Sequence, residues 1–207
     1  MTEFVREKLQ IGEYIYPFAD KINPLLYSQI ALLDDYNYKP PNIHAQFTGW
    51  HLDSKESNTL LQWVSNLITH DFLWSAYTLK CVELWGVLYK KGDYITSHNH
   101  TPSLFSFVYY VNAPKGSSPL VFVTSGRKIK PEAGKVVIFE SRLNHTVPKT
   151  KSTDRCIISG NFVSIHRKSF HRQTPWQNQQ KYPLHDPVPR RNTTWRDSCD
   201  RNQKGSS

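Results

Sequence analysis

Two histidines one residue apart, His98 and His100, are followed by His145 and, ten residues later, by Arg155. On a strand, alternate side chains point to the same face, so an H-x-H pair presents two imidazoles together. A third histidine from a distant strand closes a three-nitrogen metal site with open coordination positions. Imidazole suits Fe, Zn, Cu and Ni, so the ligand type alone leaves the metal open. Arg155 adds a different chemistry: a guanidinium grips a carboxylate through two parallel hydrogen bonds. Taken alone, it reads better as a surface arginine opposite Asp154 or Glu140.

The elements that must position these groups are mostly short strands. His98 and His100 follow the turn Lys90-Lys91-Gly92-Asp93, at the end of an extended run from Tyr94. They precede an aromatic and β-branched strand, Leu104 to Val111. His145 follows a strand over Lys135 to Glu140, and Arg155 opens another that runs to Ser164, across an expected hairpin. This order places all three histidines at one mouth of a barrel. Leu79 to Tyr89 alternates, with Cys81, Glu83, Trp85, Val87 and Tyr89 on one face. Leu120 to Thr124 is a further strand, and Pro114 to Pro119 and Pro131 to Gly134 are turns. Strands with turn signals at this spacing predict a sandwich or jelly roll. Upstream, Ile11 to Phe18 reads as a strand, and Asn23-Pro24 starts a short helix, because Pro is tolerated at the first helical position. A second helix spans Ser54 to His70, capped by Asp53 or Ser54, with Asp53-x-x-Glu56 as a capping box. Leu60, Leu61, Val64, Leu67 and Ile68 form its apolar stripe.

Composition narrows the functional class. The 207 residues carry a net charge of +9, but residues 165–207 hold nine Lys/Arg against three Asp, which is six of those nine charges. We therefore expect a nearly neutral body over residues 1–164, its strand-rich core at about 78–164. A basic, extended or partly disordered arm over 165–207 would follow, with Trp176, Tyr182 and Trp195 as anchors. Three cysteines without close spacing (Cys81, Cys156, Cys199) disfavour a disulfide framework and a zinc-thiolate site. There is no long apolar run and no apolar h-region at the start, so neither a membrane span nor a secretion signal is expected. The expected location is cytoplasmic, the host cytoplasm if the source is viral. The charges of the arm are scattered and the body has no basic stripe, so nucleic acid is not the expected partner.

Residues 85–163 resemble the double-stranded β-helix core of the Fe(II)- and 2-oxoglutarate-dependent oxygenases. Within them the likeness is to the prolyl-hydroxylase-like superfamily, and to a branch of oxygenases from phages and marine bacteria. Leu88 to His100 resembles that family's Tyr-x-x-Gly-x-x-Tyr…His-x-Asp signature, one spacing residue shorter. Ser106-Phe107-Val108-Tyr109-Tyr110-Val111-Asn112 is similar to its Tyr-Tyr-Leu-Asn strand, and Pro131 to Phe139 to its Pro-x-x-Gly-x-x-x-x-Phe strand. His145 and Arg155 match the distal histidine and the co-substrate arginine, and Gly49-Trp50-His51 resembles the phage-type branch.

The resemblance implies a mainly β fold with flanking helices: a double-stranded β-helix, or cupin-like jelly roll. It also implies a hydroxylase that turns 2-oxoglutarate and O₂ into succinate and CO₂ while oxidising a small-molecule or peptide substrate. His98 and His145 would ligate Fe(II), and Arg155 would bind the distal carboxylate of 2-oxoglutarate. Tyr109 would hydrogen-bond that carboxylate, and Tyr89 would line the pocket. Strand parity allows only one of Tyr109 and Tyr110 to point in, and the motif alignment selects Tyr109. Ser159 and Asn161, on the face of Arg155, would complete the pocket. One departure concerns His100, which stands where the superfamily carries Asp or Glu. Either the set is three neutral imidazoles, or Asp93 or Glu140 supplies a carboxylate and His100 sits behind it. Two other readings compete: a three-histidine cupin-like dioxygenase that uses no 2-oxoglutarate, and a non-catalytic module that binds through its basic arm.

Overall fold

A computed structural model describes residues 10–72 and 78–165 of the chain. The expected basic arm, beyond Ile165, and its expected anchors Trp176, Tyr182 and Trp195 lie outside the described residues. Two antiparallel sheets face each other, and two helices cover the outer side of one of them.

The larger sheet contains β1 (Ile11–Ile15), β3 (Gln46–Phe47), β4 (Thr78–Tyr89), β6 (Phe105–Asn112), β9 (Lys135–Glu140) and β11 (Arg155–Ile165). Their spatial order is β1-β9-β6-β11-β4-β3. The smaller sheet contains β2 (Ile43–His44), β5 (Tyr94–His98), β7 (Leu120–Phe122), β8 (Lys128–Ile129) and β10 (His145–Val147), in the order β2-β5-β10-β7-β8. Strand partners are distant in sequence and the chain crosses between sheets, which is the jelly-roll arrangement. His145 and Arg155 therefore do not flank a hairpin, as the sequence reading expected. β10 lies in the smaller sheet and β11 in the larger, so the segment between them bridges the two walls.

Two apolar layers hold this together. Between the sheets lie Ile43, Ile95, Leu120, Phe122 and Val147 from one wall, against Phe47, Trp85, Val87, Val108, Val137 and Ile157 from the other. On the outer face of the larger sheet, Phe105, Phe107, Tyr109, Ile138 and Ile158 meet the helices. Because both faces of the larger sheet are covered, β6 and β11 read as nearly continuous apolar runs rather than alternating ones.

Helix α1 spans Ala19–Leu32, so it starts four residues before the expected Asn23-Pro24 and carries Pro24 inside. Pro24 sits early in the helix, where it forfeits a single backbone bond. Leu26 and Ile30, both 0% exposed on the sheet, outweigh that loss. Helix α2 spans Lys55–Leu67 and passes into a π-helical turn, Ile68–Phe72. Its capping box is Ser54 with Ser57, not Asp53 with Glu56: the Ser57 N–H donates to Ser54 Oγ (3.1 Å), and the Ser54 N–H to Ser57 Oγ (2.9 Å). Asp53 accepts instead from Asn58, and Glu56 from Gln29.

Pairing of β4 with β11 shifts register between Asn161 and Phe162: Asn161 faces Glu83, and Phe162 faces Cys81. Val82 is thus the extra residue of a β-bulge, which flips the strand's faces. Cys81 packs on the helix side, whereas Trp85, Val87 and Tyr89 line the inter-sheet core. Their expected common face ends at the bulge. No helix among the described residues is long and apolar enough to cross a membrane.

Candidate functional site

The three histidines converge. One ring nitrogen from each of His98, His100 and His145 lies within 4.8 Å of the others. His145 stands directly opposite His98 in the β10–β5 ladder, and His100 follows two residues beyond. The ring centroids are 4.4 Å apart for His98–His145, 4.9 Å for His98–His100 and 5.1 Å for His100–His145. Backbone carbonyls set two of the tautomers. His98 Nδ1 is 2.9 Å from the Thr96 oxygen, and His145 Nδ1 is 2.8 Å from the Leu143 oxygen. A carbonyl oxygen only accepts, so each Nδ1 carries the proton and each Nε2 keeps its lone pair for a metal. Burial lowers the basicity of all three rings, with like neighbours adding to the effect at His100 and His145. His100 is pushed down to about 3 and His145 to about 4. Neutral imidazole is the ligating form.

Neither alternative carboxylate joins this group. Asp93 accepts from the Lys90 backbone N–H in the turn before β5. Glu140 accepts from Arg142 Nε and from the Gln10 backbone. Among the described residues, the metal-competent cluster at this mouth is the three histidines.

A cavity of about 170 Å³ runs from the histidines to Arg155. Trp50, Trp85, Ile43, Ile95, Leu120, Val108, Val147 and Ile157 make most of its wall apolar. Arg155 is 0% exposed; its three guanidinium nitrogens make no well-formed hydrogen bond, and their polar neighbours are the hydroxyls of Tyr89 and Tyr110. It pairs across the ladder with Tyr89, whose ring lies 4.2 Å from the guanidinium carbon. The Tyr110 ring lies 5.5 Å from the same carbon. The hydroxyls of Tyr89 and Tyr110 are likewise buried, beside the guanidinium but without a well-formed hydrogen bond. Burial raises the pKa of both phenols, that of Tyr110 to about 12, so both keep a proton to donate. Asp154, immediately before Arg155, adopts a left-handed backbone with φ 64°. Asn112 Nδ2 donates to its carbonyl (2.8 Å), and Tyr27 to its carboxylate (3.2 Å).

Tyr109 does not face this cavity. It points to the helix side with Phe105 and Phe107, and its hydroxyl donates to Asn23 of α1. The residue on the Arg155 face is Tyr110, opposite Ile157 in the β6–β11 ladder. The motif alignment chose the wrong member of the pair. β6 is buried on both faces, so its pattern carried no parity signal. Ser159 lines the cavity, and its hydroxyl donates to the Phe107 carbonyl at 2.6 Å. Asn161 sits behind His100, its Nδ2 3.4 Å from His100 Nδ1.

Comparison with known proteins supports this picture. Residues 83–129 match a family model described as "Putative 2OG-Fe(II) oxygenase". That stretch contains His98 and His100 and stops before His145 and Arg155. The family takes Fe(II), 2-oxoglutarate and O₂. The fold is shared with a viral collagen prolyl hydroxylase of Paramecium Bursaria Chlorella virus-1, solved with 2OG, at TM-score 0.60 and 16% identity over 73% of this chain and 94% of that one. A Pseudomonas putida prolyl-4-hydroxylase matches at TM-score 0.57 and 18% identity, over 74% and 91% of the two chains. A Trichoplax adhaerens prolyl hydroxylase, solved with a hypoxia inducible factor peptide fragment, matches at 0.56 and 16%, over 73% and 83%. No curated protein sequence matches the chain. The resemblance to the 2OG-Fe(II) oxygenases and the jelly-roll fold are thus found from independent directions. The narrower likeness to a phage and marine-bacterial branch has no counterpart among these matches.

Proposed function

We propose that the chain is a non-haem Fe(II)- and 2-oxoglutarate-dependent dioxygenase that hydroxylates an organic substrate. The observation that carries this reading is Arg155. A fully buried guanidinium with no well-formed hydrogen bond costs several kcal/mol by order of magnitude, which suits this end of the cavity to an anion. Two protonated tyrosine hydroxyls beside it add donors suited to a carboxylate. A dicarboxylate that fills the cavity would reach from this end towards the three imidazoles at the other.

The donor set fits a first-row divalent ion. His98 and His145 would bind it through Nε2, with their Nδ1 protons anchored on carbonyls, and His100 would complete the set. The bound ion would supply activation of O₂, coupled to oxidative decarboxylation of 2-oxoglutarate. The chain's own residues do the rest. Arg155, Tyr89 and Tyr110 hold the distal carboxylate; Ile43, Ile95, Leu120 and Val147 exclude water around it; and Trp50 and Trp85 wall the approach to the histidines. The related prolyl hydroxylases make a peptidyl residue a reasonable first substrate to try, on likeness of fold alone.

The rival three-histidine dioxygenase draws on the neutral ligand set, but it leaves the buried arginine unexplained. Anaerobically purified protein, given Fe(II), 2-oxoglutarate and O₂, should release succinate even without its substrate. Arg155→Ala should abolish that release. Undiminished turnover of an O₂-dependent reaction in the absence of 2-oxoglutarate would favour the rival.

A further inference from the structure

Arg155 is the first residue of β11, where the strand has just entered the larger sheet. On one side it is paired with Tyr89 of β4. On the other side the β6–β11 ladder ends one residue short of it, at Cys156 opposite Asn112. A side chain supplies the next rung: Asn112 Nδ2 donates to the Asp154 carbonyl at 2.8 Å. A carbonyl only accepts, so the nitrogen is the end of the amide that faces it. The register of the two strands prepares this contact. Tyr110 faces Ile157 and Asn112 faces Cys156, so Val111 is the extra residue of a bulge, a device that re-aims the side chains beside it. Asp154 is itself in an unusual state, with φ 64°, in the left-handed region that Asp tolerates better than most residues. Tyr27 of α1 donates to its carboxylate at 3.2 Å, so Asp154 is gripped from the helix as well as from β6. The carbonyl that Asn112 holds belongs to the peptide bond whose nitrogen is that of Arg155. That bond is planar, so fixing its oxygen fixes φ of Arg155 and the direction in which the side chain leaves the backbone.

We propose that Asn112 is the positioning residue of Arg155: its amide continues the β6–β11 ladder past the end of β6 and locks the Asp154–Arg155 peptide so that the guanidinium points into the cavity. This inference rests on the reading of Arg155 as the site of the 2-oxoglutarate carboxylate. Burial gives that end of the cavity its need for an anion, and Asn112 gives it direction. A charged group that must meet a carboxylate through two parallel hydrogen bonds is sensitive to small errors of aim, because both bonds lengthen or bend together. Asn112 touches neither the cavity nor the three histidines in doing this, so its influence falls on the co-substrate and not on the metal.

The test is Asn112→Leu, which keeps the approximate size of the side chain, adds no charge and removes the donor. Calorimetric titration of 2-oxoglutarate into the Co(II)-loaded full chain should show binding about 10-fold weaker than in the parent, the loss of one hydrogen bond passed on to the ligand. Co(II) affinity should stay within about 2-fold of the parent, since the histidines lie at the other end of the cavity. In steady-state succinate release with Fe(II), KM for 2-oxoglutarate should rise about 10-fold with kcat unchanged. Ser54→Ala, at the α2 cap, is the control for lost stability alone: it should lower the melting temperature by a few degrees and leave 2-oxoglutarate affinity as it is. Equal 2-oxoglutarate affinity in Asn112→Leu and the parent would overturn the inference, as would a fall in kcat at unchanged KM or an equal weakening in Ser54→Ala; each leaves the reading of Arg155 intact. If Arg155→Met binds 2-oxoglutarate as well as the parent does, the reading of Arg155 falls and this inference with it.

Discussion

The buried guanidinium of Arg155 permits a prediction with an unusual sign. A structural arginine, replaced by methionine, would leave its partners unpaired and cost about 3–5 kcal/mol. Arg155 has no well-formed hydrogen bond to abandon; its neighbours are Tyr89 and Tyr110, whose rings lie 4.2 and 5.5 Å from the guanidinium carbon. Desolvated cation–π contacts of this kind are worth about 2 kcal/mol, and a methionine sulfur recovers about 0.3–1.5 kcal/mol against the same rings. The desolvation relieved on removing the charge is several kcal/mol by order of magnitude. Arg155→Met should therefore stabilise the ligand-free protein by at least about 1 kcal/mol, which raises its melting temperature by roughly 2–4 °C for a domain of this size. The response to ligand should run the other way. At 2-oxoglutarate concentrations one hundred times Kd, the parent gains about 2.7 kcal/mol, or roughly 5–11 °C, whereas the variant gains nothing. Thermal denaturation by circular dichroism, with and without 2-oxoglutarate and with acetate as a monocarboxylate control, measures both arms. A melting temperature several degrees below the parent, with no dicarboxylate shift in either protein, would show that the guanidinium serves the fold and not an anion.

Four further outcomes are expected. Tyr110→Phe should raise the apparent Kd for 2-oxoglutarate by about 10-fold through one lost donor, whereas Tyr109→Phe should leave it unchanged and cost about 1 kcal/mol of stability at the Asn23 contact; isothermal titration of both variants separates these. His98→Ala and His145→Ala should each lose about 100-fold or more in Fe(II) or Co(II) affinity with little change in 2-oxoglutarate binding at Arg155, read by equilibrium dialysis of metal and nucleus-detected titration of ligand. Ser54→Ala should cost about 1 kcal/mol by removing the α2 cap, with succinate release unaffected. Gly160→Ala should cost about 1–3 kcal/mol by overpacking, because an added Cβ would lie 2.7 Å from the Phe107 ring and 2.8 Å from the Glu83 carbonyl; denaturant titration reads it.

The parts of the site that were legible in the sequence were those fixed by local spacing. His98 and His100 sit two residues apart at a strand end, and that spacing survives any choice of partner strand. Arg155 was visible as a position but not as a buried one, since its depth depends on β4 and β6 flanking it. The choice between Tyr109 and Tyr110 failed for a physical reason. β6 is apolar on both faces, so alternation gives no parity, and the deciding contacts come from a helix more than seventy residues away. Cys81 was assigned to the wrong face because a single inserted residue, Val82, inverts the pattern and leaves no compositional mark. The two-residue strands β2 and β3 are too short to carry a period at all. Helix α1 was misplaced at its start because Pro24 reads locally as a first-turn residue, whereas the burial of Leu26 and Ile30 set its true extent. Glu83 was noted only as a member of an alternating strand, and its contact with Asn161 appears once β11 lies beside β4.

Because His145 and Arg155 ride on opposite sheets, the thickness of the sandwich would act as a calliper for a co-substrate held between them. The opening of that calliper is fixed by how Val108 and Ile157 stack against Ile95 and Leu120, at the spacing of about 10 Å at which packed sheets stand. Discrimination between dicarboxylates of different carbon number would then fall to the apolar side chains that line the cavity between the two sheets. Shaving a methylene from Ile157 would retune the preferred chain length while every polar contact stayed in place.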